Sequence, residues 1–82
     1  MDTATTLALR AIISGLRYSQ RIDDADCKAI VAALDEVGTL AKRRHPGPTA
    51  GQIDAFTADI ARDCFGPDHP IALAALAKSQ RD

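Results

Sequence analysis

The hydrophobic and polar positions along this chain divide it into four segments of helical length, separated by proline and glycine. Apolar residues recur at the i, i+3, i+4, i+7 spacing of an amphipathic helix, and no run alternates as a half-buried strand does. The pattern predicts an all-α fold, a compact bundle of four helices at about 3–19, 24–44, 50–64 and 69–78, joined by short Pro/Gly loops.

Helix starts and stops are marked by residues that satisfy or terminate backbone hydrogen bonds. Ile22 is placed to pack on Cys27 as a hydrophobic staple. Gly66 suits the left-handed backbone that ends a helix, and residues 79–82 should fray. The expected N-terminal signals are, in chain order, Asp2 or Thr3, Asp23, Thr49 with Gln52 in a capping box, and Asp68 ahead of Pro70.

Each predicted helix carries an apolar stripe that we expect to face the core. Gly38 falls within the second stripe, where glycine costs about 1 kcal/mol relative to alanine. We therefore expect a neighbouring helix to approach closely there, or the helix to kink. The stripes are Leu9, Ile12, Ile13 and Leu16; Cys27, Ile30, Val31, Leu34, Val37 and Ala41; Ile53, Phe56, Ile60 and Cys64; and Ile71, Ala75 and Leu76.

The length of 82 residues indicates one domain, 1–82, with a small core. The hydrophobic fraction is 46%, but much of it is alanine, and aromatic residues make up only 4%. A core of this kind supplies about 3–5 kcal/mol of stability. Binding a partner, or forming a homodimer, would be a natural source of additional stability.

Charge and cysteine content narrow the class of protein. The formal net charge is −1, whereas dedicated nucleic-acid-binding domains are usually much more basic. Two cysteines do not form a disulfide scaffold, and their positions on apolar stripes predict reduced, buried thiols. We expect a cytoplasmic protein, because no secretory signal pattern and no membrane-spanning apolar run is present. Richness in Ala, Arg and Asp is typical of GC-rich bacterial or phage genomes.

No catalytic, cofactor or metal motif stands out in the sequence. Cys64 and His69 form the only local pair suited to nucleophilic catalysis, and no oxyanion-type loop accompanies them. Cys27 and His45 could add metal ligands only from isolated positions, whereas structural zinc sites pair ligands at close spacing. We therefore expect a protein that is not an enzyme and that uses no cofactor and no metal.

Residues 65–77, FGPDHPIALAALA, resemble the turn and following helix of kinesin-light-chain-type tetratricopeptide repeats, and Ala58 to Cys64 resembles the preceding helix. The resemblance covers about 20 of the 82 residues. It implies a helical hairpin of the kind that binds peptides in those repeats. No second unit follows at the repeat period and the usual asparagine-rich step is absent, so we infer the hairpin and not membership of the family.

Function is expected from residues that do not fit a single core stripe. Leu7 and Tyr18 give the first helix a further apolar side, which is typical of a partner surface. We predict a protein–protein interaction module: an adaptor, regulator or inhibitor of a larger protein, which can also form a homodimer. The alternative is a nucleic-acid-associated regulator with one positive patch, and ordinary surface charge would explain the same basic residues. The partner-binding residues we predict are Leu7, Arg10, Arg17, Tyr18, Arg21, Lys42, Arg43 and Arg44.

Overall fold

The computed structural model describes residues 2–44 and 47–81, and the predicted all-α architecture is confirmed there. Its helices are α1 (Thr3–Tyr18), α2 (Asp24–Arg44), α3 (Pro48–Phe65) and α4 (Pro70–Arg81). The radius of gyration over Cα atoms is 12.3 Å, close to the value of about 12 Å expected for a compact chain of this length.

The third helix, α3, is the centre of the bundle. Within the described ranges its backbone approaches those of α1, α2 and α4, whereas these three do not approach one another closely. Successive helices alternate in direction, as short connections require. For α2 the direction is fixed by Cys27 beside Cys64 and Gly38 beside Asp54. For α1 it is fixed by Arg10 with Asp59 and Arg17 with Cys64, and for α4 by the short connection from Phe65 to Pro70 and the approach of Lys78 to Asp54.

The predicted starts of α1 and α2 are confirmed by cap hydrogen bonds. The Asp2 carboxylate accepts from the Thr5 N–H at 3.1 Å. Asp23 accepts from the Asp26 N–H at 2.9 Å, and the Asp26 carboxylate accepts in return from the Asp23 N–H at 3.0 Å. This reciprocal pair is a capping box at the N-terminus of α2.

The predicted starts of α3 and α4 are wrong in detail. α3 begins at Pro48 after Gly47, whose φ is +117° and which makes no side-chain cap bond, so Thr49 lies inside the helix. Proline suits this first position because its missing N–H would be unpaired there. At α4, the His69 ring nitrogen Nδ1, rather than Asp68, accepts from the Ile71 N–H at 3.1 Å.

The C-terminal ends of α3 and α4 differ in how well they match their predicted positions. α3 ends at Gly66, as predicted, with φ of +93°. α4 continues to Arg81, three residues beyond its predicted end at about Lys78. The predicted break at residues 45–46 and the last residue, 82, lie outside the described residues.

The core lies where α1, α2 and α3 meet. Its buried cluster consists of Cys27 from α2 with Phe56, Ile60 and Cys64 from α3. These α3 positions are spaced at i, i+4 and i+8, which places them on one face of the helix. The partly buried residues packed against the cluster are Ile13, Ile22, Ile30, Val31, Leu34 and Phe65.

Several predicted core residues are instead exposed to solvent. In α1 only Ile13 of the predicted stripe packs on the cluster, and the other three positions are at least two-fifths exposed. In the described part of the chain, α1 packs closely only on α3, so one narrow face of the helix is covered. Because its apolar arc is wider than that face, the rest of the arc is exposed to solvent. The residues wrongly assigned to the core are Leu9, Ile12 and Leu16 in α1, Val37 in α2 and Leu76 in α4.

Gly38 allows α3 to approach α2 closely, as its position in the stripe predicted, and the Asp54 carboxylate lies in this interface. A Cβ at Gly38 would stand 2.4 Å from Oδ1 of Asp54. Asp54 is only 2% exposed, and neither of its carboxylate oxygens has a hydrogen-bond partner among the described residues. In the part of the chain that the structure describes, the nearest cation is Lys78, whose Nζ lies 4.0 Å from Oδ1. A buried carboxylate of this kind destabilises a fold unless it is compensated.

The N-terminal caps predict how stability depends on pH. Hydrogen bonds from backbone N–H groups lower the pKa of Asp23 below its ordinary value of 3.8. The unfolded chain therefore binds the proton more tightly, so this stabilisation is present above pH ~4 and is lost as the pH falls through the folded-state pKa. We expect the urea concentration at the unfolding midpoint to decrease as the pH is lowered below ~4. The decrease should be less steep in the Asp23→Asn variant.

The matched control for that experiment is Asp68→Asn. Asp68 is exposed and forms no hydrogen bond or ion pair within the described part of the chain. Its replacement should leave the pH dependence of the urea midpoint unchanged. An Asp23→Asn variant with the same acid dependence as the parent would show that the α2 cap does not control acid stability.

Candidate functional site

The exposed apolar surface of α1 is the most prominent candidate site. No residue of α1 is buried, although the helix is apolar over most of its length. Ile12 is 58% exposed and Tyr18 is 93% exposed. Burying a large apolar side chain is worth about 1.5–3 kcal/mol, so several such side chains on one helix represent substantial unused binding energy. The exposed large side chains of α1 are Leu7, Leu9, Ile12, Leu16 and Tyr18.

α2 also exposes an apolar side chain next to a residue of the core. Leu9 and Leu16 lie one helical turn on either side of Ile13, which packs on the core. On α2, the half-exposed Val37 lies one turn beyond Leu34, which packs on the same core. Both helices therefore expose apolar side chains beside residues that pack on the same core. We call these side chains, Leu9, Ile12, Leu16 and Val37, the α1–α2 face.

The two charges of α1 are neutralised within the chain. Arg10 donates to both carboxylate oxygens of Asp63, at 2.9 and 3.0 Å, and lies 3.7 Å from Asp59. Arg17 pairs with Asp24 and donates to the Cys64 carbonyl at 3.3 Å. These hydrogen bonds to carboxylates raise the pKa of both guanidinium groups. The exposed side of α1 consequently carries no unpaired charge.

The structure places the predicted partner-binding residues in different environments. Leu7 and Tyr18 are exposed, on the side of α1 away from Leu9 and Leu16. Arg10 and Arg17 face α3 and α2 through the ion pairs described above. The remaining four are exposed: Arg21 precedes α2, and Lys42, Arg43 and Arg44 lie in its last turn.

The basic residues do not form the single patch that the nucleic-acid alternative requires. Arg17, from α1, is held at the start of α2 by its ion pair with Asp24. Lys42 to Arg44 lie in the last turn of α2. Eighteen helical residues separate Asp24 from Lys42, which corresponds to about 27 Å along the axis. Binding to one phosphate cluster needs cations on one surface. The two basic groups are instead at opposite ends of the longest helix.

Cys64 and His69 are each engaged with other groups. Both cysteines are free and buried. Burial, with a hydrogen bond to Cys27, raises the pKa of the Cys64 thiol to about 12, so it is neutral near pH 7 and a weak nucleophile. The His69 ring stacks on Phe65 at 4.7 Å between centroids. Within the described ranges, no three His, Cys, Asp or Glu side chains come together as metal ligands.

Sequence reasoning missed Leu9, Ile12, Leu16 and Val37 as surface residues. Their spacing is that of a core stripe, and spacing alone cannot distinguish a core from an interface. One signal was available: the 16 residues of α1 contain no Lys, Asp or Glu and only two Arg. A helix with an ordinary solvent face usually carries more charge than that.

Comparisons with known proteins give no match for this chain. No protein-family model matches the chain, and neither curated proteins nor solved structures give a significant match. Of the helices in the described ranges, none combines the length and apolarity needed to span a bilayer.

Proposed function

We propose that this chain is a small non-enzymatic protein–protein interaction module, an adaptor, regulator or inhibitor of a larger protein, and that it forms a homodimer through the α1–α2 face. The observation that carries the proposal is that α1 buries no residue in the monomer although it presents five large apolar side chains to solvent. Contiguous exposed apolar surface of this kind marks interaction sites.

Charge favours a second copy as the occupant of the face. In a twofold dimer the same patch meets itself, so any unpaired charge on the patch would face a like charge. The α1–α2 face has no charged side chain, and the arginines beside it are paired with Asp63 and Asp24. Gly15, next to Ile12 on the helix surface, has nothing within 4 Å of its would-be Cβ. A partner helix could therefore approach α1 closely.

Self-association is tested by sedimentation velocity over a range of concentrations. We expect the parent chain to dimerise and Ile12→Lys to weaken the dimer at least tenfold, because burying Ile is worth about 1.5–3 kcal/mol and each 1.4 kcal/mol is tenfold in affinity. The matched control is Leu73→Lys on α4, since Leu73 is also about half exposed, at 50%. The control should leave the dimer unchanged.

Two outcomes would contradict the proposal. A parent chain that stays monomeric up to about 1 mM has no dimer of useful affinity. Equal effects of Ile12→Lys and Leu73→Lys would show that the α1–α2 face is not the interface. Tyr18→Ala extends the test to the opposite side of α1: a large loss there, with Ile12→Lys neutral, would place the interface at Leu7 and Tyr18 instead.

A further inference from the structure

A groove lies on the opposite side of α2 from the α1–α2 face. It runs between α2 and α4 over α3, and its volume is about 420 Å³. Ligand pockets usually span ~300–1,000 Å³, so this groove suits a small ligand. Its walls are largely apolar, with Val31 from α2 and Ile71 and Ala75 from α4.

Some polar groups of the groove already have hydrogen-bond partners within the protein. The Thr57 hydroxyl donates to the Ile53 carbonyl at 2.8 Å, so the floor offers no free donor there. Lys78 donates to Asp35 at 2.6 Å and to the Thr39 hydroxyl at 3.2 Å. The groove therefore has one neutralised end, formed by Lys78 and Asp35.

Two further cations border the groove without an ion pair to any described residue: Lys28 and Arg81. Arg81 lies at the Lys78 end of α4, where its Nε already donates to the Ala77 carbonyl at 3.4 Å. Lys28 lies seven residues before Asp35, about 10 Å away along the α2 axis. No acidic residue lines the groove at the Lys28 end, and Asp24, one turn earlier, is paired with Arg17.

We propose that this groove binds a small amphiphilic carboxylate, with the anionic head on Lys28 and the apolar body along Val31, Ile71 and Ala75. Lys28 is the cation of the groove that makes neither a hydrogen bond nor an ion pair to any described residue. An apolar cleft with such a cation at its end complements a molecule that has one charged and one apolar part. The site is independent of the α1–α2 face, because it lies on the other side of α2 and shares no residue with it.

The test uses octanoate and its uncharged counterpart 1-octanol as probes, with calorimetry for affinity and heteronuclear NMR for location. We expect octanoate to bind in the millimolar range or tighter, with amide shifts concentrated at Val31, Ile71 and Ala75. Lys28→Gln should weaken octanoate by about two- to fivefold, the upper part of the range for one exposed ion pair. It should leave 1-octanol unchanged.

Two further variants separate the groove from general surface effects. Arg44→Gln removes an exposed cation in the last turn of the same helix, outside the groove, and should have no effect. Ala75→Leu fills the apolar wall and should weaken both probes at least tenfold. Shifts centred on Leu9 and Ile12, equal losses in Lys28→Gln and Arg44→Gln, or no binding at millimolar octanoate would each overturn the proposal.

Discussion

Replacing Ile60 with alanine is expected to remove most of the stability of this protein. Ile60 is fully buried on α3, in the cluster with Cys27, Phe56 and Cys64. An Ile→Ala change in a core costs about 2–5 kcal/mol, because apolar contacts are lost and a cavity remains. A core of this size supplies only about 3–5 kcal/mol in total. The variant should therefore be largely unfolded or close to its unfolding midpoint at 25 °C.

Urea unfolding followed by far-UV circular dichroism measures the effect. Protein concentration must be the same for every variant, because dimerisation would itself add stability. Ile60→Val should lose about 0.5–1.5 kcal/mol. Leu73→Ala, at a half-exposed position, is the control and should lose clearly less than Ile60→Ala. Similar losses for Leu73→Ala and Ile60→Ala would mean that α3 does not form the centre of the core.

The second large effect is expected at Gly38. Helix propensity alone predicts that Gly38→Ala stabilises α2 by about 1 kcal/mol. The packing predicts the reverse, since the new Cβ would lie 2.4 Å from Oδ1 of Asp54 and 3.5 Å from Cγ2 of Ile53. Overpacking of this kind costs about 1–3 kcal/mol. We therefore expect Gly38→Ala to lower the free energy of unfolding, whereas helix propensity alone predicts that it rises.

A double-mutant cycle with Asp54→Ala isolates this contact. Once the carboxylate is removed, Gly38→Ala should become neutral or stabilising, giving a coupling energy of about 0.5–3 kcal/mol. Gly15→Ala is the matched control in α1, because nothing lies within 4 Å of its would-be Cβ. It should stabilise the protein by about 1 kcal/mol. A Gly38→Ala variant that also gains stability would show that α2 and α3 are not in close contact at Asp54.

The cycle also measures the effect of the buried carboxylate. Asp54 has no hydrogen-bond partner among the described residues and lies 4.0 Å from Lys78. Replacing a buried ionic group with an apolar one is often neutral or stabilising. Asp54→Ala alone should accordingly change the free energy of unfolding little, or raise it. The isosteric Asp54→Asn separates the effect of charge from that of volume.

The candidate interaction surface was only partly predictable. The apolar side of α1 that carries Leu7 and Tyr18 was expected to be exposed, and it is. Arg10 and Arg17 were expected to contact a partner, but their guanidinium groups pair with Asp63 and Asp24. Such pairs join residues distant in sequence, so no local spacing indicates them. The α2–α4 groove was not predicted, because its walls come from two helices that do not approach each other closely.

By itself the sequence determined the features that depend on neighbours along the chain. Helical periodicity, the caps at Asp2 and Asp23 and the terminator Gly66 are local, because backbone hydrogen bonds and dihedral angles involve residues a few positions apart. Only the tertiary structure decided which apolar stripes are buried. α3 occupies the centre and each peripheral helix meets it on one face, so Ile60 is buried while Ile12, on an equally regular stripe, is exposed. Periodicity gives the direction of an apolar face, but burial depends on how many neighbouring helices cover it.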